Sequence, residues 1–230
     1  MSMIAIITAR GGSKRIPKKN IKEFCGKPII AYSIEAALDS GIFDEVMVST
    51  DSEEIAKIAK QYGAKVPFMR SEETSSDYAT TADVLREVIG KYKKRGREFD
   101  YMACIYPTAP FVTAEKLKKA YEELKMKNGK MVMSVVAFSY PPQRSYIKDN
   151  NCIRMKWIEN IDKRSQDLEK MYHDCGQFYF YKMPEFINGD GRIADGIIPL
   201  IVNELEVQDI DTETDWKLAE LKYRLMKCGD

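Results

Sequence analysis

Short apolar runs alternate with stretches of helical periodicity from residue 4 to residue 136, and that rhythm narrows the fold more than any other feature of the chain. Residues 4–7, 44–49, 66–68, 101–106 and 131–136 read as strands, rich in β-branched or small side chains as doubly buried strands are. Helices fit between them. Pro28 suits the first turn of one that Gly41 closes, and Thr50-Asp51-Ser52 before Glu53-Glu54 caps a second that ends at Gly63. Thr80 or Thr81 opens a third, and Thr113 a fourth that Asn128-Gly129 ends. The alternation predicts an α/β fold: a three-layer, doubly wound, mostly parallel sheet of Rossmann-like type, with helices on both faces. Residues 66–68 belong near an edge, because Pro67 lacks a donor.

The rhythm breaks at Pro141-Pro142. Residues 146–148 and 152–157 flank Asp149-Asn150-Asn151 as a hairpin would, and 161–170 is charged and unpatterned. Strands resume at 178–181 and 196–202, and 213–226 closes the chain as an amphipathic helix. The expectation is one domain over residues 1–230, with 139–175 as an arm. Tyr146, Ile153 and Trp157 on that arm need cover. A second subunit in a homodimer supplies it, or the hairpin folds onto its own domain.

Charge excludes some classes of partner. Lys+Arg 36 against Asp+Glu 35 leaves a net charge of +1, so no overall field draws the chain to nucleic acid or to anionic lipid. No apolar run approaches the roughly 20 residues of a membrane helix, and the N-terminus lacks a signal pattern. The five cysteines include no Cys-x-x-Cys pair, which favours reduced thiols in a cytoplasm over a disulfide or zinc framework.

Positive charge is instead local. The first strand opens into Gly11-Gly12 and a run holding Arg10, Lys14, Arg15, Lys18 and Lys19 with no acid among them. Glycines let a backbone approach phosphates, and Arg and Lys offset their charge, so a triphosphate cradle is one reading and a solvated basic turn the other. No P-loop string is present. Asp209-Ile210-Asp211 is the second signal. If residues 207–210 form a strand, the two carboxylates share a side at roughly 7 Å and can hold Mg2+ through oxygen; the alternative is a helix start at Thr212, Thr214 and Asp215. Arg70 with Asp77 to Thr81 suits reading of a nucleobase, phosphate binding, or a surface loop with a helix cap. Residues 106–110 follow a buried strand, where ligands bind in open α/β sheets. The single histidine, His173, either orients a substrate carboxylate or is a satisfied polar group.

The string Ala9-Arg10-Gly11-Gly12-Ser13-Lys14-Arg15-Ile16-Pro17-Lys18-Lys19-Asn20 resembles the N-terminal motif of the CMP-nonulosonate synthetases, cytidylyltransferases that activate sialic acid and its relatives. Val48-Ser49-Thr50-Asp51, Phe68-Met69-Arg70, Pro107-Thr108-Ala109-Pro110 and 209–215 agree with that family in order, over nearly the whole chain. Tyr106 stands where sialic acid enzymes usually carry Gln; with 173–179 this makes the chain more similar to the members acting on pseudaminic acid. CMP-sialate and CMP-legionaminate synthesis are the nearest alternatives, and an Asp-x-Asp glycosyltransferase or a non-catalytic nucleotide binder the more distant ones.

The resemblance implies transfer of CMP from CTP to the anomeric hydroxyl of a nine-carbon 2-keto sugar acid. Arg10 and Lys19 would stabilise charge, with Gly11, Gly12, Ser13, Lys14 and Asn20 around the triphosphate and ribose. Arg70, Ala79 and Thr81 would surround the cytosine. Tyr106, Thr108, His173, Gln177 and Tyr179 would face the sugar. Asp209 and Asp211 would hold Mg2+, and Asp211 would also orient the attacking hydroxyl.

Overall fold

The alternation folds as its periodicity requires. In the computed structural model, which describes residues 1–228, β1 (Met3–Thr8) enters the core and the chain returns through two short antiparallel strands, β2 (Glu23–Phe24) and β3 (Lys27–Pro28). Cys25 and Gly26, both at positive φ (45° and 98°), make that turn. Then follow α1 (Ile29–Ser40), β4 (Glu45–Ser49), α2 (Glu53–Gln61), the single turn α3 (Glu72–Ser75), α4 (Thr81–Lys93), β5 (Tyr101–Ile105), α5 (Ala114–Met126) and β6 (Met131–Ala137). Helix starts obey their caps. Ser52 and Thr113 accept amide hydrogens from the first turns of α2 and α5, and Thr80 and Asp83 form a reciprocal capping box on α4.

Beyond Pro141-Pro142 lie the hairpin β7 (Tyr146–Asp149) and β8 (Cys152–Met155), then β9 (Tyr172–Lys182), α6 (Met183–Asn188), β10 (Ile197–Ile201) and α7 (Glu213–Cys228). Among the described residues six strands join in one sheet, in the order β10-β6-β9-β5-β1-β4. All its pairings are parallel except those of β9, which runs antiparallel between β5 and β6.

Two cores sandwich the sheet. Odd positions of β1 (Met3, Ala5, Ile7) pack with Ile30 and Ile34 of α1, Ile55 of α2, and Leu117 and Leu124 of α5. Even positions (Ile4, Ile6) pack with Leu85 and Val88 of α4 and Phe186 of α6. This is the expected three-layer arrangement, since successive strand residues face opposite sides. A third, smaller core joins Ile16 of the basic loop, Phe24, Tyr32, Ile210 and Trp216. Each such side chain contributes about 1.5–3 kcal/mol on burial, so this cluster clamps the two ends of the chain together.

Three expectations need correction. Residues 66–68 form no strand: only Lys65 bridges Met47, and the chain turns away at Pro67, which has no amide hydrogen to donate to a ladder. The arm is shorter than 139–175, because 172–175 open β9 and Tyr172, His173 and Asp174 pair with Ala137, Val136 and Val135 after a bulge. Residues 207–210 are not a strand either; they are irregular chain between a short turn at Glu204–Glu206 and α7.

Candidate active site

The strand order reverses at β1. The chain steps from β1 to β4 on one side, then crosses to β5 on the other, and a crevice opens beyond the carboxyl ends of β1 and β5. Thr8 ends β1 and Tyr106 follows β5, and both line a cleft of about 390 Å³. Arg10, Ser13, Lys14, Arg15, Ile16, Lys19 and Asn20 complete one wall; Thr81, Pro107 and Thr108 complete the other.

The basic wall is built by backbone anchors. Ala9 N–H donates to the Ser49 carbonyl at 2.9 Å, and Gly11 N–H to Asp51 Oδ1 at 2.7 Å. A Cβ on Gly11 would lie 3.0 Å from the Ser52 Cβ, so the residue is small for close approach to the start of α2. The left-handed residue of the loop is Lys18 (φ 54°), not a glycine, and its ammonium reaches Glu54 at 2.7 Å. Asn20, buried, donates from Nδ2 to the Arg10 carbonyl at 2.8 Å and so closes the loop on itself.

Lys19 crosses to the other end of the chain. Its Nζ donates to the Ile210 carbonyl at 2.6 Å and lies 3.7 Å from Asp211 Oδ1. Arg15 Nη1 pairs with Asp211 Oδ2 at 2.8 Å. Two cations that line the cleft therefore pair with an acid near the other end of the chain, which stands beside the cleft rather than in its lining. The acid segment is fixed from behind by buried Ile210, by Lys222 Nζ donating to the Val207 carbonyl at 2.6 Å, and by Gln177 Nε2 donating to the Glu206 carbonyl at 2.6 Å. Thr212 N–H donates to Asp215 Oδ2 at 2.7 Å and Asp215 N–H to Thr212 Oγ1 at 3.3 Å. The helix-start reading of 212–215 thus holds, with Thr212 and Asp215 capping α7 reciprocally.

Other sequence-derived candidates lie elsewhere. Gly12 is exposed and, like Gly11, is not part of the cleft lining. Arg70 is turned inward: Nε donates to Ser49 Oγ at 3.1 Å and Nη2 to the Ser49 carbonyl at 2.6 Å, and burial lowers its pKa. It braces the end of β4. Ala79 lines a neighbouring hollow with Ser71, Thr74, Asp83 and Glu87. Thr81 does reach the cleft, its Oγ1 3.1 Å from the Tyr106 hydroxyl.

The expected sugar contacts divide between two cavities. Tyr106 and Thr108 line the main cleft. His173 and Asp209 line a second one with Asp174, Glu204, Gln208 and Lys222. There the His173 ring packs on Phe138 at 4.8 Å, with Nδ1 3.0 Å from the Asp174 carbonyl. Tyr179 joins the two cavities. Its ring meets Tyr106 edge-on at 5.7 Å and its hydroxyl donates to Asp174 Oδ2 at 2.5 Å. Burial, with the Tyr106 ring beside it, pushes the Tyr179 hydroxyl pKa up. Gln177 is buried; its Nε2 donates to the Glu206 carbonyl, and its Oε1 has no hydrogen-bond partner among the described residues.

Two ion pairings beside the cleft were not legible in the sequence. Arg15 is one cation of five until Asp211 is seen beside it. Asp77 accepts from Arg10 Nη1 at 2.7 Å and from Lys14 Nζ at 2.5 Å, and those bonds hold its carboxyl below the usual carboxylate range.

Among the described residues no group of three or more His, Cys, Asp or Glu converges as a metal site. Mg2+ commonly takes one or two protein carboxylates and completes its shell from substrate phosphates and water. Asp211, with hard oxygens facing the basic wall, fits that pattern, whereas Asp209 lines the second cavity beyond buried Ile210.

An α/β sheet with a cationic glycine loop at its switch point, faced by a carboxylate, defines a nucleotidyltransferase-type protein. The chain belongs to the cytidylyltransferase family, whose pattern matches residues 4–182, and is thus a nucleotidyltransferase. It is 42% identical to a pseudaminic acid cytidylyltransferase of Campylobacter jejuni over 226 residues, 98% of this chain and 97% of that one. It is 37% identical to a CMP-N,N'-diacetyllegionaminic acid synthase of Legionella pneumophila, covering 96% of this chain and 95% of that one. Its fold is similar to a CMP:2-keto-3-deoxy-manno-octonic acid synthetase solved with CTP, at a TM-score of 0.68, 18% identity and 99% of each chain.

Proposed function

We propose that this enzyme transfers CMP from CTP to the anomeric hydroxyl of a nine-carbon 2-keto sugar acid, with pseudaminic acid the acceptor. The acceptor oxygen forms a bond to the α-phosphorus, the bond to the α–β bridging oxygen breaks, pyrophosphate leaves with that electron pair, and the hydroxyl proton is lost. The observation that carries the reading is the convergence of Arg10, Lys14, Arg15 and Lys19 on one cleft, with Arg15 and Lys19 also paired to Asp211 from the far end of the chain. Phosphoryl transfer asks chiefly for positioning and charge stabilisation. Arg10, Lys14 and Lys19 supply the charge, while Thr81 and Tyr106 form the opposite wall. Identity of 42% over nearly the full length to a pseudaminic acid enzyme favours that sugar.

Asp211 and Asp209 would hold Mg2+, which would neutralise charge on the triphosphate. Arg15 and Lys19, which line the cleft, hold the Asp211 carboxylate beside it. The arm would cover the sugar end of the cleft of a second copy, giving a homodimer. Its exposed Tyr146 and Ile153 support this, and the free thiols suit a reducing cytoplasm. Among the described residues no helix is long and apolar enough to cross a membrane.

The test is a panel of nonulosonic acids with CTP and Mg2+, read as pyrophosphate release. Release with pseudaminic acid well above the legionaminic and sialic acids is expected. A preference for either of those reassigns the sugar, and free nucleotide from a nucleotide sugar would indicate a glycosyltransferase. Asp211→Asn is expected to raise the Mg2+ needed for half-maximal rate about tenfold, in the range reported for perturbed metal ligation. An unchanged requirement removes Asp211 from the metal site.

A further inference from the structure

The loop from Ser71 to Thr80 has fixed ends and a lightly held tip. At one end Ser71 N–H and Oγ both donate to the Glu87 carboxylate at 2.9 Å. At the other, Thr80 N–H donates to Asp83 Oδ2 at 2.8 Å in the capping box of α4. Between them the tip bonds two cleft-lining cations, through Asp77 to Arg10 and Lys14 and through a 3.4 Å bond from Arg10 to the Ser76 carbonyl. Tyr78, next in sequence, is 94% exposed.

Arg10 and Lys14 both line the cleft, and one carboxylate spans them with one oxygen each. That is the bidentate geometry a phosphate offers to the same two donors. We infer that Asp77 is a specificity-determining residue that competes with phosphate for these two donors, so that an incoming triphosphate must displace it and departing pyrophosphate is replaced by it. The inference rests on the reading that these two cations receive the triphosphate. Displacement is feasible because both ion pairs are half-exposed and such pairs are individually weak. It also accounts for Ala79. That residue lines the adjacent hollow while Asp77 is paired, and it is free to move with the tip once the pairs break.

Competition of this kind makes anion affinity a difference between ligand and Asp77. A weakly charged ligand displaces the carboxylate poorly, whereas a triphosphate displaces it well. While paired, Asp77 also keeps Arg10 and Lys14 extended toward the cleft.

The experiment titrates inorganic triphosphate into the full-length wild-type protein, Asp77→Asn and Glu72→Gln by calorimetry. Glu72 is an exposed acid at the root of the same loop, and its removal changes net charge equally without touching the pairs. The expectation is that Asp77→Asn binds about three- to tenfold tighter, as two weak exposed pairs allow, and Glu72→Gln less than twofold. In turnover, pyrophosphate inhibition should tighten in Asp77→Asn by the same factor. In the Arg10→Ala background, adding Asp77→Asn should bring a smaller gain, since one of the two pairs is already gone. Equal or weaker binding by Asp77→Asn, or an equal gain in Glu72→Gln, overturns the inference and leaves the nucleotide reading intact. A folded wild-type protein that binds neither triphosphate nor CTP overturns that reading itself.

Discussion

Residues 9–20 and residues 139–171 both leave the main sheet heavily charged, but the first is tied to distant parts of the chain and the second mostly to itself. The basic loop is held by Ser49 and Asp51 behind it, by Glu54 of α2, and by Ile210 and Asp211 from 191 and 196 residues away. The arm is held by Ser145 to Lys156, by Gln143 to Glu169 and by Arg164 to Asp167, and it touches the body through Ser139 and Glu204. An exposed hairpin of two strands is marginal alone. A cleft that must present fixed charges needs long-range anchoring, and the hairpin stretch, bonded mostly within itself, lacks it.

The sharpest way to break that contrast is at the anchor. Trp216 is buried beneath the loop, edge-on to Phe24 at 5.6 Å, in the small core that also holds Ile16 and Ile210. Trp216→Ala is expected to cost about 3–5 kcal/mol in denaturant unfolding, as large core truncations do. A loss under about 1 kcal/mol would mean the cleft's two sides are held by something other than this cluster.

Next is the loop's chemistry. Arg10→Ala should lower turnover at least roughly a hundredfold, about 2.7 kcal/mol of barrier, with unfolding free energy changed by no more than about 0.5 kcal/mol. Near-normal turnover by a folded variant would remove Arg10 from the reaction.

The legible part of this molecule was whatever the chain specifies locally. Caps at Ser52, Thr80 and Thr113, the left-handed stop at Gly41 and the strand at β1 are all decided within a few residues. The basic loop was legible because its charges adjoin in sequence. Failures came where a partner far along the chain decides. Residues 207–210 are β-like in composition, but instead of a strand partner they meet the amines of Lys19 and Lys222, and stay irregular. Residues 172–174 carry His and Asp, poor advertisements for a strand, yet pair with β6 beyond its bulge. That Gln177 Nε2 would bond the Glu206 carbonyl, 29 residues on, is not visible in its neighbours. Nothing local announced that Asp77 would turn back onto Arg10.

A smaller effect separates the third excursion, residues 71–80, from both others. Burial pushes the Glu87 carboxyl up, but bonds from Lys91, Thr74 and Ser71 outweigh it and bring its pKa down to about 2. A depressed folded pKa contributes stability that is present above the unfolded value of 4.5 and is lost as pH falls toward 2. Discounted for partial solvent contact, the contribution is about 1–2 kcal/mol. The stability gap between wild type and Glu87→Gln, measured by unfolding, should narrow as pH falls from 5 to 2. A gap constant over that range would show that the ionised form is not what roots the loop.

The smallest effect on the chain itself belongs to the arm. Ile153 is 66% exposed on β8, so Ile153→Ser removes little packing from its own subunit. Unfolding of dilute monomer should change by no more than about 0.5 kcal/mol, the usual range for surface substitutions. If a second copy covers the hairpin, the same change leaves a hydroxyl in an apolar contact, and self-association measured by sedimentation should weaken about tenfold, or about 1.4 kcal/mol. The two measurements divide the possibilities, because a hairpin folded onto its own domain lowers monomer stability and leaves association alone. Loss of association with monomer stability intact is the signature of an element whose anchoring comes from another chain, as the basic loop's comes from its own.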